Sequence, residues 1–99
     1  MSAKEIFEII RQNKTKISKF GVHQLGLFGS QSRGDATAAS DIDFLVEFVQ
    51  GQKNYDNYIE LCFFLEDLFN KKVDLLTEES LSPHLKEQIL REVQYETIH

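Results

Sequence analysis

Residues 41–48 read Asp-Ile-Asp-Phe-Leu-Val-Glu-Phe, an alternation with the period of two that belongs to a β-strand. Ile42, Phe44, Val46 and Phe48 share one face, and Asp41, Asp43, Leu45 and Glu47 share the other. One face is therefore core, while the other begins with two carboxylates whose backbones stand about 6.5 Å apart. Acidic pairs at strand starts are often solvated surface, so this pair gains meaning only from its neighbours.

Upstream, a short strand over residues 24–28 ends at Gly29-Ser30, followed by a polar stretch through residue 39 with at most a short helical turn. Downstream, residues 54–69 suit the longest helix, with Tyr58, Leu61, Cys62, Leu65, Leu68 and Phe69 along one stripe. A third strand over residues 72–77 alternates Val73 and Leu75 with Asp74 and Leu76, which turns Asp74 away from the core. If the first strand runs antiparallel to the second, Gly29-Ser30 lies beside Asp41. The long helical connection allows a right-handed crossover, which sets the third strand parallel to the second and brings Asp74 alongside. At the ends of the chain, Ser2 caps a first helix that carries Ile6, Phe7, Ile9, Ile10 and Ile17 and stops near Phe20-Gly21. A last helix occupies residues 84–93 behind Pro83. The expected fold class is α/β (α+β): one domain, residues 1–99, with a small mixed sheet covered by helices.

Three carboxylates, Asp41, Asp43 and Asp74, thus converge. Clustered carboxylates repel unless a cation compensates, and hard oxygen ligands with open positions suit Mg²⁺ bridged to substrate phosphates. The pattern points to two-metal phosphoryl chemistry. Gly29 lets the backbone approach a triphosphate, and the Ser30 hydroxyl and neighbouring amides can hydrogen-bond its oxygens. Arg33 adds a fixed positive charge nearby, either touching phosphate or bracing the loop against a carboxylate.

Charge narrows the classes further. The first 20 residues carry five Lys or Arg against two Glu, and the remaining 79 carry six against fourteen acidic residues, for a net −5 overall. A long nucleic-acid track is excluded, because such binding is driven by Lys and Arg. With a single cysteine, Cys62, there is no intramolecular disulfide, and no apolar run is long enough for a membrane span; a cytoplasmic location is expected.

The motifs Gly29-Ser30-Gln31-Ser32-Arg33-Gly34, Ser40-Asp41-Ile42-Asp43 and Val73-Asp74-Leu75 resemble those of the DNA polymerase β-type nucleotidyltransferases. The nearest subgroup is the minimal nucleotidyltransferases, the MNT antitoxins paired with HEPN ribonuclease toxins. The likeness spans nearly the whole chain, through Leu81-Ser82-Pro83 and the closing helix, and departs from the common pattern at Thr37-Ala38-Ala39. It implies a polymerase β-like fold and a Mg²⁺-dependent transfer of AMP from ATP to a hydroxyl. The implied acceptor is a Tyr of the HEPN toxin. It also implies that Asp41 and Asp43 bind both metal ions, while Asp74 binds the catalytic one and helps prepare the attacking hydroxyl. Two rival functions remain open: an antitoxin that masks its toxin without catalysis, and a small-molecule modifier similar to the aminoglycoside nucleotidyltransferases.

Other features carry less. A calcium loop from Asp41 would need Gly at its sixth position, which is Val46, and no Glu closes it. No Gly-Lys-Ser/Thr follows Gly29, so this is not a Walker loop. Cys62 reads as a core thiol, the three histidines show no ligand spacing, and the Asn13-Lys14-Thr15 glycosylation triplet reads as chance. Tyr55, Tyr58, Phe63 and Phe64 surround the long helix and are expected to be buried rather than to form a partner surface.

Overall fold

The computed structural model describes residues 1–37 and 40–99; Ala38 and Ala39, where the sequence departs from the family pattern, lie outside the described residues. The chain runs α1 (Ala3–Gln12), α2 (Lys14–Ser18), β1 (Val22–Phe28), α3 (Ser30–Arg33), β2 (Ile42–Phe48), α4 (Tyr55–Phe69) and β3 (Val73–Leu76). A 3₁₀ turn (Glu78–Ser80), α5 (Pro83–Glu92) and β4 (Gln94–Thr97) complete it. The strands form one sheet in the order β3-β2-β1-β4. As expected, β1 pairs antiparallel with β2 and β3 parallel with β2, so the sheet is mixed.

Local chemistry places the helix starts. Ser2 and Glu5 form a reciprocal capping box at α1, and Asn54 accepts the Asn57 N–H at 2.8 Å to open α4. Ser82 caps α5 with Pro83 in its first turn. The single N-terminal helix expected from the sequence is instead two, broken at Asn13. Its side-chain amide donates to the Ile9 carbonyl at 2.8 Å, and its backbone leaves the helical region at φ −118°. An Asn side chain that competes for backbone partners in this way ends helices readily.

The main core lies on one face of the sheet, where Ile6, Ile10 and Ile17 meet Leu25, Leu27, Ile42, Phe44, Leu61 and Leu65, all fully buried. The opposite face is not simply polar. Leu45, placed by alternation beside Asp41 and Asp43, is buried with Phe28 and Ile89 in a smaller cluster beneath α5. Burial on both faces is what a central strand such as β2 receives when helices cover both sides. The reading of the α4 aromatics needs correction: Tyr55 and Phe63 are 74% and 60% exposed, while Tyr58 and Phe64 are half-buried against the core. One 15-residue helix presents a single stripe to the sheet, and those two residues fall outside it.

Two devices manage the sheet edges. On β3, the outward-facing backbone is met by α4 side chains one turn apart. Glu66 accepts the Val73 N–H at 3.1 Å, the Cys62 thiol faces the Val73 carbonyl at 4.0 Å, and the Tyr58 hydroxyl donates to the Leu75 carbonyl. The other edge is β4, which sequence reading missed because its residues are largely exposed and show no apolar alternation. It pairs antiparallel with β1 and is held by Glu96, which meets Arg11 at 3.0 Å and Lys14 at 2.9 Å. The basic N-terminal segment thus neutralises part of the acidic remainder.

The α4 seal predicts that Glu66→Ala strands the Val73 N–H and lowers stability by about 1 to 2 kcal/mol, whereas Glu66→Gln keeps an acceptor and loses less. Urea midpoints of the two variants check this.

Candidate active site

The strand register brings Asp43 and Asp74 together at one end of the sheet beside the Gly29-Ser30 turn, with Asp41 near enough to act on Asp43 by charge. Phe28 is the ladder partner of Asp43, and Asp43 is that of Asp74, so β1, β2 and β3 deliver the end of the Gly-Ser turn and two carboxylates side by side. Strands in a sheet stand about 4.8 Å apart, which forces the two carboxyl groups into mutual range. Asp41 sits just before β2, two residues from Asp43 and on the same side of the chain. All three lie on the face that α5 only partly covers. A cleft of about 410 Å³, lined by Phe28, Asp43, Tyr58, Cys62, Val73, Asp74, Leu75 and Leu76, opens there. It shares Tyr58, Leu75 and Leu76 with a second, more apolar hollow of about 470 Å³ that extends to Tyr55 and Ser80.

Gly29 adopts φ +73°, a left-handed conformation that favours glycine, and a Cβ there would collide with the Asp43 carboxylate. This residue lets the loop pass over the acidic end of β2. Ser30 opens α3, a single turn closed by Gly34, and its hydroxyl has no protein partner among the described residues. A phosphate-type oxygen could accept from it.

The electrostatics follow from the packing. Asp43 is pushed up to about 6, first by burial, then by the charge of Asp74, a hydrogen bond shared with Asp74 and the charge of Asp41; Arg33 pulls the other way. Burial is also the leading cause that raises Tyr58 and Cys62, with Asp74 adding to both. Hydrogen bonds to Asp35 and Glu92 hold Arg33 firmly charged. The donor set of hard carboxylate oxygens suits a divalent cation. Among the described residues, however, no three ligand-type side chains are already gathered around one point. Asp43 and Asp74 are ladder partners, and Asp41 acts on Asp43 through its charge.

Of the two roles considered for Arg33, the structure shows the brace: its guanidinium meets Asp35 at 3.3 Å and Glu92 at 3.3 Å. Glu92 is the residue that sequence reading missed. It ends α5, 63 positions after Gly29, yet accepts the Gly29 N–H at 3.0 Å. No local pattern signals such a contact. Cys62, expected as a core thiol, is instead a half-buried free thiol at the wall of the cleft, because its side chain faces the edge of β3. His23 contacts the His99 carbonyl and His84 faces Gln88, both away from the cleft.

Comparison with known proteins agrees with this geometry. Residues 4–95 match the family model described as a nucleotidyltransferase domain. Protein adenylyltransferase MntA of Thermococcus cleftensis is 38% identical over 96 residues, which cover 96% of this chain and 96% of that protein. A solved structure provisionally described as a minimal nucleotidyltransferase superposes with a TM-score of 0.80 at 32% identity, over 95% of both chains. A chain from the complex of tri-AMPylated Shewanella oneidensis HEPN toxin with MNT antitoxin superposes with a TM-score of 0.56 at 25% identity. That match covers 86% of this chain and 69% of the other.

The raised Asp43 value makes a signed prediction. Between pH 4 and 6 the folded chain keeps a proton that the unfolded chain has lost, so the contribution of Asp43 to stability falls as pH rises and is fully unfavourable above about 6. In metal-free buffer, Asp43→Asn is therefore expected to match the parent near pH 4. It should gain on the parent up to pH 6 and hold an advantage of about 1 to 2 kcal/mol above it, once solvent screening is allowed for. Thermal melts across that range read the difference.

Proposed function

The chain belongs to the nucleotidyltransferase domain family, and from that premise we propose that it moves AMP from ATP to a hydroxyl on a partner protein. The acceptor on this reading is a Tyr of a HEPN-type ribonuclease toxin, which the transfer silences, and the chain acts as a single unit, residues 1–99, in the cytoplasm where ATP is made and used. The observation that carries the reading is the register pairing of Asp43 with Asp74 beside the Gly29-Ser30 turn. A pair of carboxylates able to hold a cation, beside a turn with amides and a hydroxyl able to meet phosphate oxygens, suits phosphoryl transfer. Identity of 38% to a protein adenylyltransferase over nearly the full chain supports AMP as the group moved. The AMPylated toxin in the neighbouring complex supports a protein acceptor.

Asp41, Asp43 and Asp74 would hold two Mg²⁺ ions, which when bound supply charge stabilisation to the transferring phosphoryl group and lower the pKa of the attacking hydroxyl. The rest falls to the chain's own residues. Ser30 Oγ and the amides that open α3 would donate to the phosphate tail, with Arg33 beside them, and hold the nucleotide in line. Asp74 lies on the outermost of the three strands, where on this reading it would meet the acceptor hydroxyl. As the hydroxyl oxygen forms its bond to the α-phosphorus, Asp74 accepts the proton, the bond to the β-phosphate oxygen breaks and pyrophosphate leaves.

One observation favours a second, non-catalytic reading, in which the chain neutralises its toxin by binding alone: among the described residues the three carboxylates are not gathered around one point. The two readings separate on Asp74. Co-expressed with its HEPN-type partner, Asp74→Ala is expected to co-purify with it yet leave no AMP-mass adduct, and the released toxin should stay active. Asp41→Asn and Asp43→Asn should behave alike, since each loss removes several kcal/mol of transition-state stabilisation. Intact-mass spectrometry with a ribonuclease assay decides; full protection without any adduct would establish masking.

A further inference from the structure

We propose that Glu92 is a positioning residue for the phosphate loop, residues 29–34, and that nucleotide affinity depends on it although it faces no candidate metal ligand; the inference rests on the nucleotide reading above. Glu92 stands at the junction of α5 and β4. Its carboxylate accepts the Gly29 N–H at 3.0 Å and lies 3.3 Å from the Arg33 guanidinium through both oxygens. Its main-chain carbonyl accepts the Ser32 hydroxyl at 2.7 Å, and the Gln94 side-chain amide donates to the same hydroxyl oxygen at 3.2 Å. Three of the loop's six residues are therefore tied to one short junction.

The arrangement is a strut. β4 pairs with β1 so that Gln94 is opposite Leu27, and continuing the same register two residues further would set Glu92 beside Gly29. On the other side of Gly29 stands the Asp43 carboxylate. The turn is thus flanked by the Asp43 carboxylate on β2 and tied by the Glu92 carboxylate at the end of α5. Arg33 without Glu92 keeps only Asp35, two residues away on the same loop and 61% exposed. A pair within the loop cannot hold the loop in register with the sheet, whereas a partner from α5 can. A mobile carboxylate that merely occupied the place of a phosphate would not have its own main chain bonded to Ser32. The geometry therefore assigns Glu92 to holding Arg33 and Gly29 in place for the incoming phosphates.

Isothermal titration with ATP and Mg²⁺ tests this on the intact chain. Glu92→Ala should weaken ATP binding about tenfold, or about 1.4 kcal/mol. Glu92→Gln should lose only about threefold, because an amide oxygen still accepts the Gly29 N–H while the charge pair is gone. Adding Arg33→Ala to Glu92→Ala should cost less than the two single losses combined, because the two residues act as one unit. If Glu92→Ala does not fold, Glu92→Gln carries the test at an unchanged melting temperature. Parental affinity in both variants, tighter binding, or additive losses would overturn the proposal. A parent chain that binds no ATP would overturn the nucleotide reading, and this inference with it.

Discussion

The repulsion between Asp43 and Asp74 is the constraint around which the molecule is arranged. Two carboxylates at paired positions on adjacent strands, one of them partly desolvated, are unfavourable unless they share a proton or a cation. The fold holds them together through pairings made elsewhere. Ile42 and Phe44 bury fully on the far face of β2, Val73 and Leu75 do nearly so on β3, and the crossover through α4 fixes the parallel register. A one-residue slip of β3 would relieve the repulsion, but it would also turn Val73 and Leu75 to the wrong face. Apolar burial thus enforces what electrostatics opposes.

That enforcement depends on the edges being closed. β3 is an edge strand of four residues, short enough to slip or to pair with another chain. Tyr58, Cys62 and Glu66 occupy its outward backbone groups in a row set by the helical repeat, so the helix that supplies the core stripe also locks the strand that carries Asp74. β4 performs the matching task on the opposite edge. Anchored through Glu96 to Arg11 and Lys14, it delivers the α5 junction to the end of β1. The N-terminal helices thereby steady the loop beside the cleft, and the start of α1 also lines a hollow with Gln31, Ser32, Arg33 and Gly34.

What could be read from the sequence was what short periods encode. Alternation located β2 and β3 and the orientation of Asp43 and Asp74, the apolar stripe located α4, Pro83 located α5, and chain length between strands two and three implied the parallel crossover. The pairing of Asp43 with Asp74 followed from these local facts, whereas the gathering of Asp41 with them, among the described residues, did not. What could not be read depends on distant partners. Glu92 looks like any charged residue at a helix end until β1 and β4 are paired, and β4 has no apolar alternation because its stability comes from ladder bonds and ion pairs. Leu45 is buried only because α5 returns across the polar face. Tyr55 and Phe63 are exposed because one helix has only one buried stripe, and composition alone does not say which aromatics it excludes. The break at Asn13 turns on one side-chain hydrogen bond within an otherwise helical pattern.

The charge balance at the cleft adds a last step. Asp41, Asp43 and Asp74 line or flank it, and the nearby guanidinium of Arg33 is already met by Asp35 and Glu92. A triphosphate brings about four further negative charges, and at a few ångströms each like-charge pair costs about 1 to 4 kcal/mol even in a partly solvated cleft. One shared arginine cannot offset that sum. On the proposed reading, divalent cations are therefore a condition of nucleotide binding as well as of transfer. On that reading the phosphate loop's hydrogen bonds would set the position of a ligand whose charge ions held by the carboxylates would neutralise. A site meant only for masking a partner would have no reason to retain carboxylates that destabilise its own fold, since an apolar or amide side chain at Asp43 would give a more stable chain.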